Sequence, residues 1–375
     1  MMAEVRPLRL LGKSIVAFVV TNLIFAALNP AIGRLSIYNH LVPGRWRFPI
    51  QQGNPLSSSG APQDLDALFG SHEISGTFKT RTEYRVLLLG DSQTWGATLP
   101  FHQTLGARLN AARLSACGMD LRFYNLAYPY GSVLKDFFTL DKSLPYRPDL
   151  VVWMLTPKSF RPTAETLVFV KDDPGSALDL LGAYNLDRYD TLVGPRVRFL
   201  KRTFISQAAR LHRWALLQVY GLIWAATGFD HQWTFEDFRR ILEAASPPAL
   251  HLSTKLDWDG MQPPRLRERA LALDVLPATR KLIGDLPLLA VVEPMFIPPG
   301  NGVSPRYNRI YPRWAFDAFV QLLQSALARQ GWGYLDLHAL VAYTDFVDDN
   351  FHLTADGEAQ LAQALEPVIQ KVACP

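Results

Sequence analysis

Two cysteines, Cys117 and Cys374, are all that 375 residues contain, which is too few for a metal framework or a disulfide-stapled scaffold. Net charge is also scarce. A pI near 9.0 accompanies a formal charge of only +4, too mild to argue for nucleic-acid binding. No internal repeat or low-complexity tract is present. With 49% hydrophobic residues the chain can build a sizeable core, and its length leaves room for one large domain or a domain with an insertion.

The third scarcity is local. From Ser14 to Gly33 there is no charged residue, and two runs, Ile15 to Val20 and Leu23 to Leu28, are strongly apolar. About twenty helical residues at about 1.5 Å each match the roughly 30 Å hydrocarbon layer of a bilayer. Asn22, Asn29 and Pro30 make the span imperfect. Arg6, Arg9 and Lys13 would also suit the start of a cleaved signal peptide, yet no small-x-small cleavage site follows the apolar stretch. Residues 1–34 are therefore expected to be an uncleaved membrane anchor, and residues 35–80, rich in Pro, Gly, Ser and Gln, an irregular linker. Arg34, Arg45 and Arg47 follow the span as Arg6, Arg9 and Lys13 precede it, so positive charge gives no orientation.

What the sequence does have is a serine and a histidine in informative places. Arg85 to Leu89 reads as a buried strand, and Gly90 is expected to end it by adopting backbone angles other residues avoid. Ser92 then lies in the turn at the carboxyl end of a strand, where open parallel sheets bind ligands. A helix is expected near Thr104 to Leu109, after a loop containing Gly96 and Pro100. Far downstream, His352 precedes Thr354, an expected N-cap, and a helix with Leu361, Leu365, Val368 and Ile369 at helical spacing. Asp349, three residues before the histidine, can orient its imidazole. A serine hydroxyl becomes a nucleophile when such a base takes its proton, and the acid then stabilises the imidazolium.

The segment Gly90-Asp91-Ser92-Gln93-Thr94-Trp95-Gly96 resembles the first block of the SGNH (GDSL) hydrolase superfamily. Asp349 to His352, with the following Leu-Thr-x-x-Gly, resembles its last block. The resemblance implies an α/β fold: a three-layer α/β/α flavodoxin-like domain with a parallel five-stranded sheet. It also implies Ser92 as nucleophile, His352 as general base and Asp349 as its partner. It spans about residues 80–160 and 285–372, so the catalytic domain is expected to comprise 81–160 and 285–375. Gly131, after Asn125 to Tyr130, is the candidate glycine whose N–H, with that of Ser92, would face an oxyanion. The family's asparagine donor has no counterpart after Leu150 to Leu155, where Thr156-Pro157-Lys158-Ser159-Phe160 follows. That stretch is similar to the D-alanyl transfer proteins of lipoteichoic acid modification, which are SGNH-like and membrane-anchored. Thr156 or Lys158 could substitute as donor, Lys158 and Glu293 could contact substrate, and Glu293 could equally pair with an arginine. Asp336 and His338 lie at another strand end and are poorer triad candidates.

Residues 161–284 form a mainly helical insertion. Arg196, Arg198, Lys201, Arg202, Arg210 and Arg213 give its first half a basic face, and the apolar run Trp214 to Ala226 follows. Two readings stand: a lid lying on an anionic membrane surface, or a buried helix beside a solvated one. In a flavodoxin-like order the first and last helices lie side by side, so Cys117 and Cys374 could form a disulfide outside the cytoplasm; two unrelated buried thiols are the alternative.

The expected function is a membrane-anchored serine esterase or O-acyltransferase, with its catalytic domain extracytoplasmic, acting on O-acyl groups of an envelope glycan or polymer. No metal and no cofactor is expected. The expected partners are the acylated polymer, membrane lipid through the N-terminal helix, and a membrane acyl-transfer protein, with no nucleic acid. A glycan-binding or assembly component of low turnover, and a lipid esterase, are the alternatives.

Overall fold

Alternation along three neighbouring strands sets the architecture. In β1 (Glu83–Leu89) Val86 and Leu88 enter one apolar cluster, while Leu87 and Leu89 enter another on the opposite side. The computed structural model describes residues 7–28, 30, 37–42, 44–48, 65–162, 174–189, 202–227, 255–299 and 304–374. After β2 (Ser115–Ala116) and β3 (Met119–Asn125), the same two-residue period recurs in β4 (Leu150–Leu155) and β5 (Leu288–Val292). Successive side chains of a strand point to opposite faces, so runs apolar at every position, such as LVVWML and LLAVV, fit a sheet covered on both sides. β6 (Gly333–Asp336) closes the edge.

Helices supply the covers. The helices before the insertion are α1 (Pro7–Leu28), α2 (Tyr38–Leu41), α3 (Leu65–Ser71), α4 (Glu73–Gly76), α5 (Ser92–Trp95), α6 (Leu105–Ala111) and α7 (Val133–Ser143). Then come α8 (Pro174–Ala183), α9 (Phe204–Thr227), α10 (Val275–Ile283), α11 (Arg313–Gln330) and α12 (Ala355–Ala373). Phe137 of α7, Val275 of α10 and Phe319 of α11 fill the larger core with Leu87, Trp153 and Ala290. Leu105 and Leu109 of α6, with Leu361, Leu365 and Ile369 of α12, cover the other face. Each such Leu, Phe or Ile contributes about 1.5–3 kcal/mol by leaving water.

The sheet order is β2-β3-β1-β4-β5-β6. Five strands from β3 to β6 are parallel, in the expected flavodoxin-like sequence, but β2 adds a sixth that is antiparallel to β3. The all-parallel five-stranded expectation is corrected accordingly. Two residues have no periodicity to read. The turn itself explains β2: Cys117 and Gly118 both have positive φ, 51° and 74°, the backbone of a tight two-residue hairpin. That turn holds Cys117 against the end of α12, and Cys117 and Cys374 form a disulfide with their Cα atoms 5.5 Å apart.

Two further segments differ from the sequence reading. Phe48, Leu65, Leu68, Phe69 and Ile74, assigned to an irregular linker, are buried in the larger core. α10 falls inside the stretch read as insertion, yet it packs against α7 and α11 as part of a covering layer. Arg196, Arg198 and Lys201 lie outside the described residues, as do the side chains of Arg210, Arg213 and Trp224; Arg202 pairs with Asp179. Among the described residues α1 is the one helix long and apolar enough to cross a membrane.

Candidate active site

The serine is presented by a helix that begins on it. Asp91 caps α5, its carboxylate accepting the Gln93 N–H at 3.0 Å, so Ser92 is the first residue of a four-residue helix rather than part of an open loop. Gly90 matters for space and not for backbone angle, since its φ is not among the positive ones. A Cβ there would fall 2.4 Å from Thr94 Oγ1. Thr94 occupies that space because its hydroxyl donates to Glu293 Oε1 at 2.6 Å. Glu293, 2% exposed, is thereby turned into the protein beneath the serine, away from any substrate. Burial and the nearby Asp91 charge raise its carboxyl well above the ordinary range.

Ser92 and His352 meet. Ser92 Oγ lies 2.9 Å from His352 Nε2, and both residues are nearly buried. The acid on the other ring nitrogen is Asp348 and not Asp349: Asp348 Oδ2 is 2.6 Å from His352 Nδ1. The loop explains the choice. Asp348 Oδ1 accepts the backbone N–H groups of Asn350, Phe351 and His352, each at 3.1 Å, which curls the chain so that the second oxygen faces the ring. Asp349 points to Arg309, with Oδ2 3.2 Å from Nε. Burial would raise the Asp348 carboxyl, but its hydrogen bonds and the charge of His352 outweigh that and hold it below its usual value. Thr354 caps α12 as expected, accepting the Gly357 N–H at 3.2 Å.

Several contacts lock the two distant segments together. Thr98 Oγ1 donates to Leu353 O at 3.0 Å. The Gln93 amide nitrogen, turned toward them, donates to Phe351 O at 2.8 Å and Pro294 O at 3.3 Å. Beneath them the buried Lys135 ammonium donates to Gly90 O at 2.5 Å and Tyr128 O at 2.9 Å, and pairs with Asp136 at 2.9 Å. One cation thus ties the carbonyls that precede Ser92 and Gly131. No periodicity in the sequence separates that lysine from a surface residue of α7.

The loops after β1, β3 and β4 converge at Gly131. A Cβ on Gly131 would stand 3.3 Å from Asp91 Oδ2 and 3.5 Å from Ser159 Oγ. Thr156, a candidate oxyanion donor by sequence, is one step behind: its Oγ1 is 3.0 Å from Ser159 Oγ, and its side chain interacts with the buried Tyr311 phenol. The sequence does not single out Ser159, because a serine two residues past a proline ordinarily marks a turn. Lys158 is half-buried; its N–H donates to Tyr311 Oη at 3.4 Å, and its ammonium has no partner among the described residues. His338 pairs with Asp336 at 2.8 Å, separately from Ser92. Among the described residues no group of three or more metal-ligating side chains occurs.

The serine after the carboxyl end of β1 and the histidine before α12 are thus brought together at one edge of the sheet. No family model and no curated protein matches the chain. Solved structures do. A carbohydrate acetylesterase family member from Sinorhizobium meliloti is similar at 14% identity and a TM-score of 0.35, covering 77% of this chain and 98% of that one. TesA is similar at 14% identity and a TM-score of 0.37, covering 77% and 99%. An acetylxylan esterase from Geobacillus stearothermophilus is similar at 11% identity and a TM-score of 0.34, covering 78% and 96%.

Proposed function

We propose that this chain is a membrane-anchored serine acyl-transfer enzyme, an esterase or O-acyltransferase acting on O-acyl groups of an extracytoplasmic glycan or envelope polymer. The observation that carries the reading is the continuous line from Ser92 Oγ through His352 to Asp348, with steps of 2.9 and 2.6 Å. Ser92 attacks the ester carbonyl as His352 Nε2 takes its proton, and Asp348 stabilises the imidazolium. The oxyanion accepts from the backbone N–H groups of Ser92 and Gly131. Ser159 supplies a third donor in place of the absent asparagine. Thr156 and Tyr311 stand behind its hydroxyl, and a chain of hydroxyls polarises its last proton. Expulsion of the alcohol, protonated by His352, leaves an acyl-serine; water or a sugar hydroxyl then resolves it by the reverse sequence.

The apolar α1 supports a membrane anchor, and the Cys117–Cys374 disulfide supports a domain in an oxidising compartment. Lys158, whose ammonium has no partner among the described residues, suits an anionic polymer as substrate or acceptor. The test uses the full chain in detergent and a fluorophosphonate probe. Wild type should label at Ser92, and Ser92→Ala and His352→Ala should not. Incubation with acetylated polysaccharide then separates release from transfer by product mass. A folded wild-type protein that neither labels nor deacylates would sink the enzymatic reading and favour the glycan-binding one. A preference for long-chain over acetyl nitrophenyl esters would favour the lipid esterase.

A further inference from the structure

Asn22 lies inside the uncharged stretch of α1, six residues before its end at Leu28. An amide there is costly in hydrocarbon unless its polar atoms are satisfied. Both are. Nδ2 donates to Phe18 O at 2.9 Å, and Oδ1 accepts the backbone N–H of Ile205, in the first turn of α9, at 3.2 Å. That N–H is one of the four a helix start leaves without an internal partner, so each group satisfies the other. Beside them the Phe25 and Phe204 rings meet edge-on at 5.4 Å. At about 1.5 Å per residue, Asn22 sits about 9 Å inside the end of α1, and the start of α9 is fixed at that depth.

Among the described side chains, the rest of α9 has its polarity reversed for a helix on a wet surface. Gln207 and Gly221 are buried, and Gln218 Oε1 accepts the N–H groups of Ile37 and Tyr38 at 2.7 and 3.1 Å. The outward positions carry Phe204, Ile205, Ala208, Val219, Leu222 and Ile223, with Ile205 58% and Val219 57% exposed. Among the described exposed side chains of α9 only Ser206 and His212 are polar. A soluble surface helix turns its apolar stripe inward.

We propose that α9 is a second membrane element, its outward face lying against the lipid acyl chains of the leaflet that the end of α1 crosses. The inference rests on the reading of α1 as a membrane span. Lipid is the occupant because the helix begins at a residue within that span. The element holds the catalytic domain down on the bilayer, since α9 also packs on α2 and α3, and α3 packs on α7 of the domain.

The test uses the full chain in nanodiscs of phosphatidylethanolamine and phosphatidylglycerol, with single spin labels at Ala208→Cys and Val219→Cys. Val16→Cys reports on α1, and Asp285→Cys, on a fully exposed side chain, is the water reference. All four sites are exposed, and each variant should keep the wild-type thermal transition. Relaxation by oxygen should exceed relaxation by a water-soluble nickel chelate at 208, 219 and 16, with the order reversed at 285. Nickel-dominated relaxation at 208 and 219 with oxygen at 16 would overturn the inference and leave the anchor standing. Nickel at 16 as well would remove the anchor reading and this one with it. Labels at 208 and 219 immobilised and shielded from both reagents would assign the face to a protein instead and equally overturn it.

Discussion

Asp348 Oδ2 is 2.6 Å from His352 Nδ1, while the adjacent Asp349 faces Arg309 at 3.2 Å. The neighbouring acids are thus distinguishable by experiment. Asp348→Asn keeps the side-chain volume but offers an amide to the ring, favouring the wrong tautomer and losing the charge that stabilises imidazolium. The expected result is a fall in kcat of about 10³- to 10⁴-fold on 4-nitrophenyl acetate. Asp349→Asn should change kcat by no more than a few-fold. A larger loss for Asp349→Asn than for Asp348→Asn would return the acid role to Asp349.

The proposed third oxyanion donor is tested through Ser159. Its hydroxyl is 3.0 Å from Thr156 Oγ1 and beside Gly131, so removing it leaves Ser92 and His352 untouched. Ser159→Ala should lower kcat by about 10²-fold, with KM little changed, because the donor acts on charge that develops only in the transition state. Thr156→Val, which removes the partner behind it, should cost less. An unchanged kcat in Ser159→Ala would leave the oxyanion to the two backbone amides alone.

The structure also carries a pH dependence far from the serine. Glu358 in the first turn of α12 is 1% exposed and accepts the Leu105 N–H at 2.8 Å, so one carboxyl caps α6 from within α12. Burial raises it to about 8, against the smaller opposing effects of Leu105 N–H and Arg108. An acid whose folded pKa is raised stabilises the fold fully below its unfolded value near 4.5, and that contribution is lost as pH rises toward about 8. The loss is on the order of a few kcal/mol. Glu358→Gln keeps an oxygen for Leu105 and cannot ionise. Its thermal midpoint should therefore fall less than that of wild type between pH 5 and 8.5, as followed by circular dichroism. Identical slopes for the two proteins would refute the assignment.

How far the sequence reveals this depends on the length scale of each signal. The core strands are legible because runs such as Leu150 to Leu155 are apolar at every position, which only a doubly covered strand tolerates. Ser92 and His352 are legible because each sits where a regular element stops or starts. Asp348 against Asp349 is not, since the decision lies in three backbone amides that curl onto one oxygen. Nor is the inward turn of Glu293, whose partner Thr94 is 199 residues away. Nor is the reason for Gly90, where space for Thr94, and not a left-handed backbone, is what a side chain would violate.

The Cys117–Cys374 disulfide joins the β2–β3 turn to the last residue of the chain's final helical cap across a separation of 257 residues. A cross-link of that span removes much of the unfolded chain's freedom, and disulfides of this kind stabilise by about 2–5 kcal/mol. The expected observations are no free thiol by mass spectrometry of the unreduced protein, and a lower thermal midpoint in reductant or in the Cys117→Ser, Cys374→Ser double variant. Labelling of Ser92 should survive in both, because the bridge lies at the end of α6 and α12 away from His352, and those helices keep Leu109, Leu365 and Ile369 packed without it. Two free thiols in native protein, or a midpoint indifferent to reduction, would remove the bridge, and with it the support it lends to a catalytic domain outside the cytoplasm.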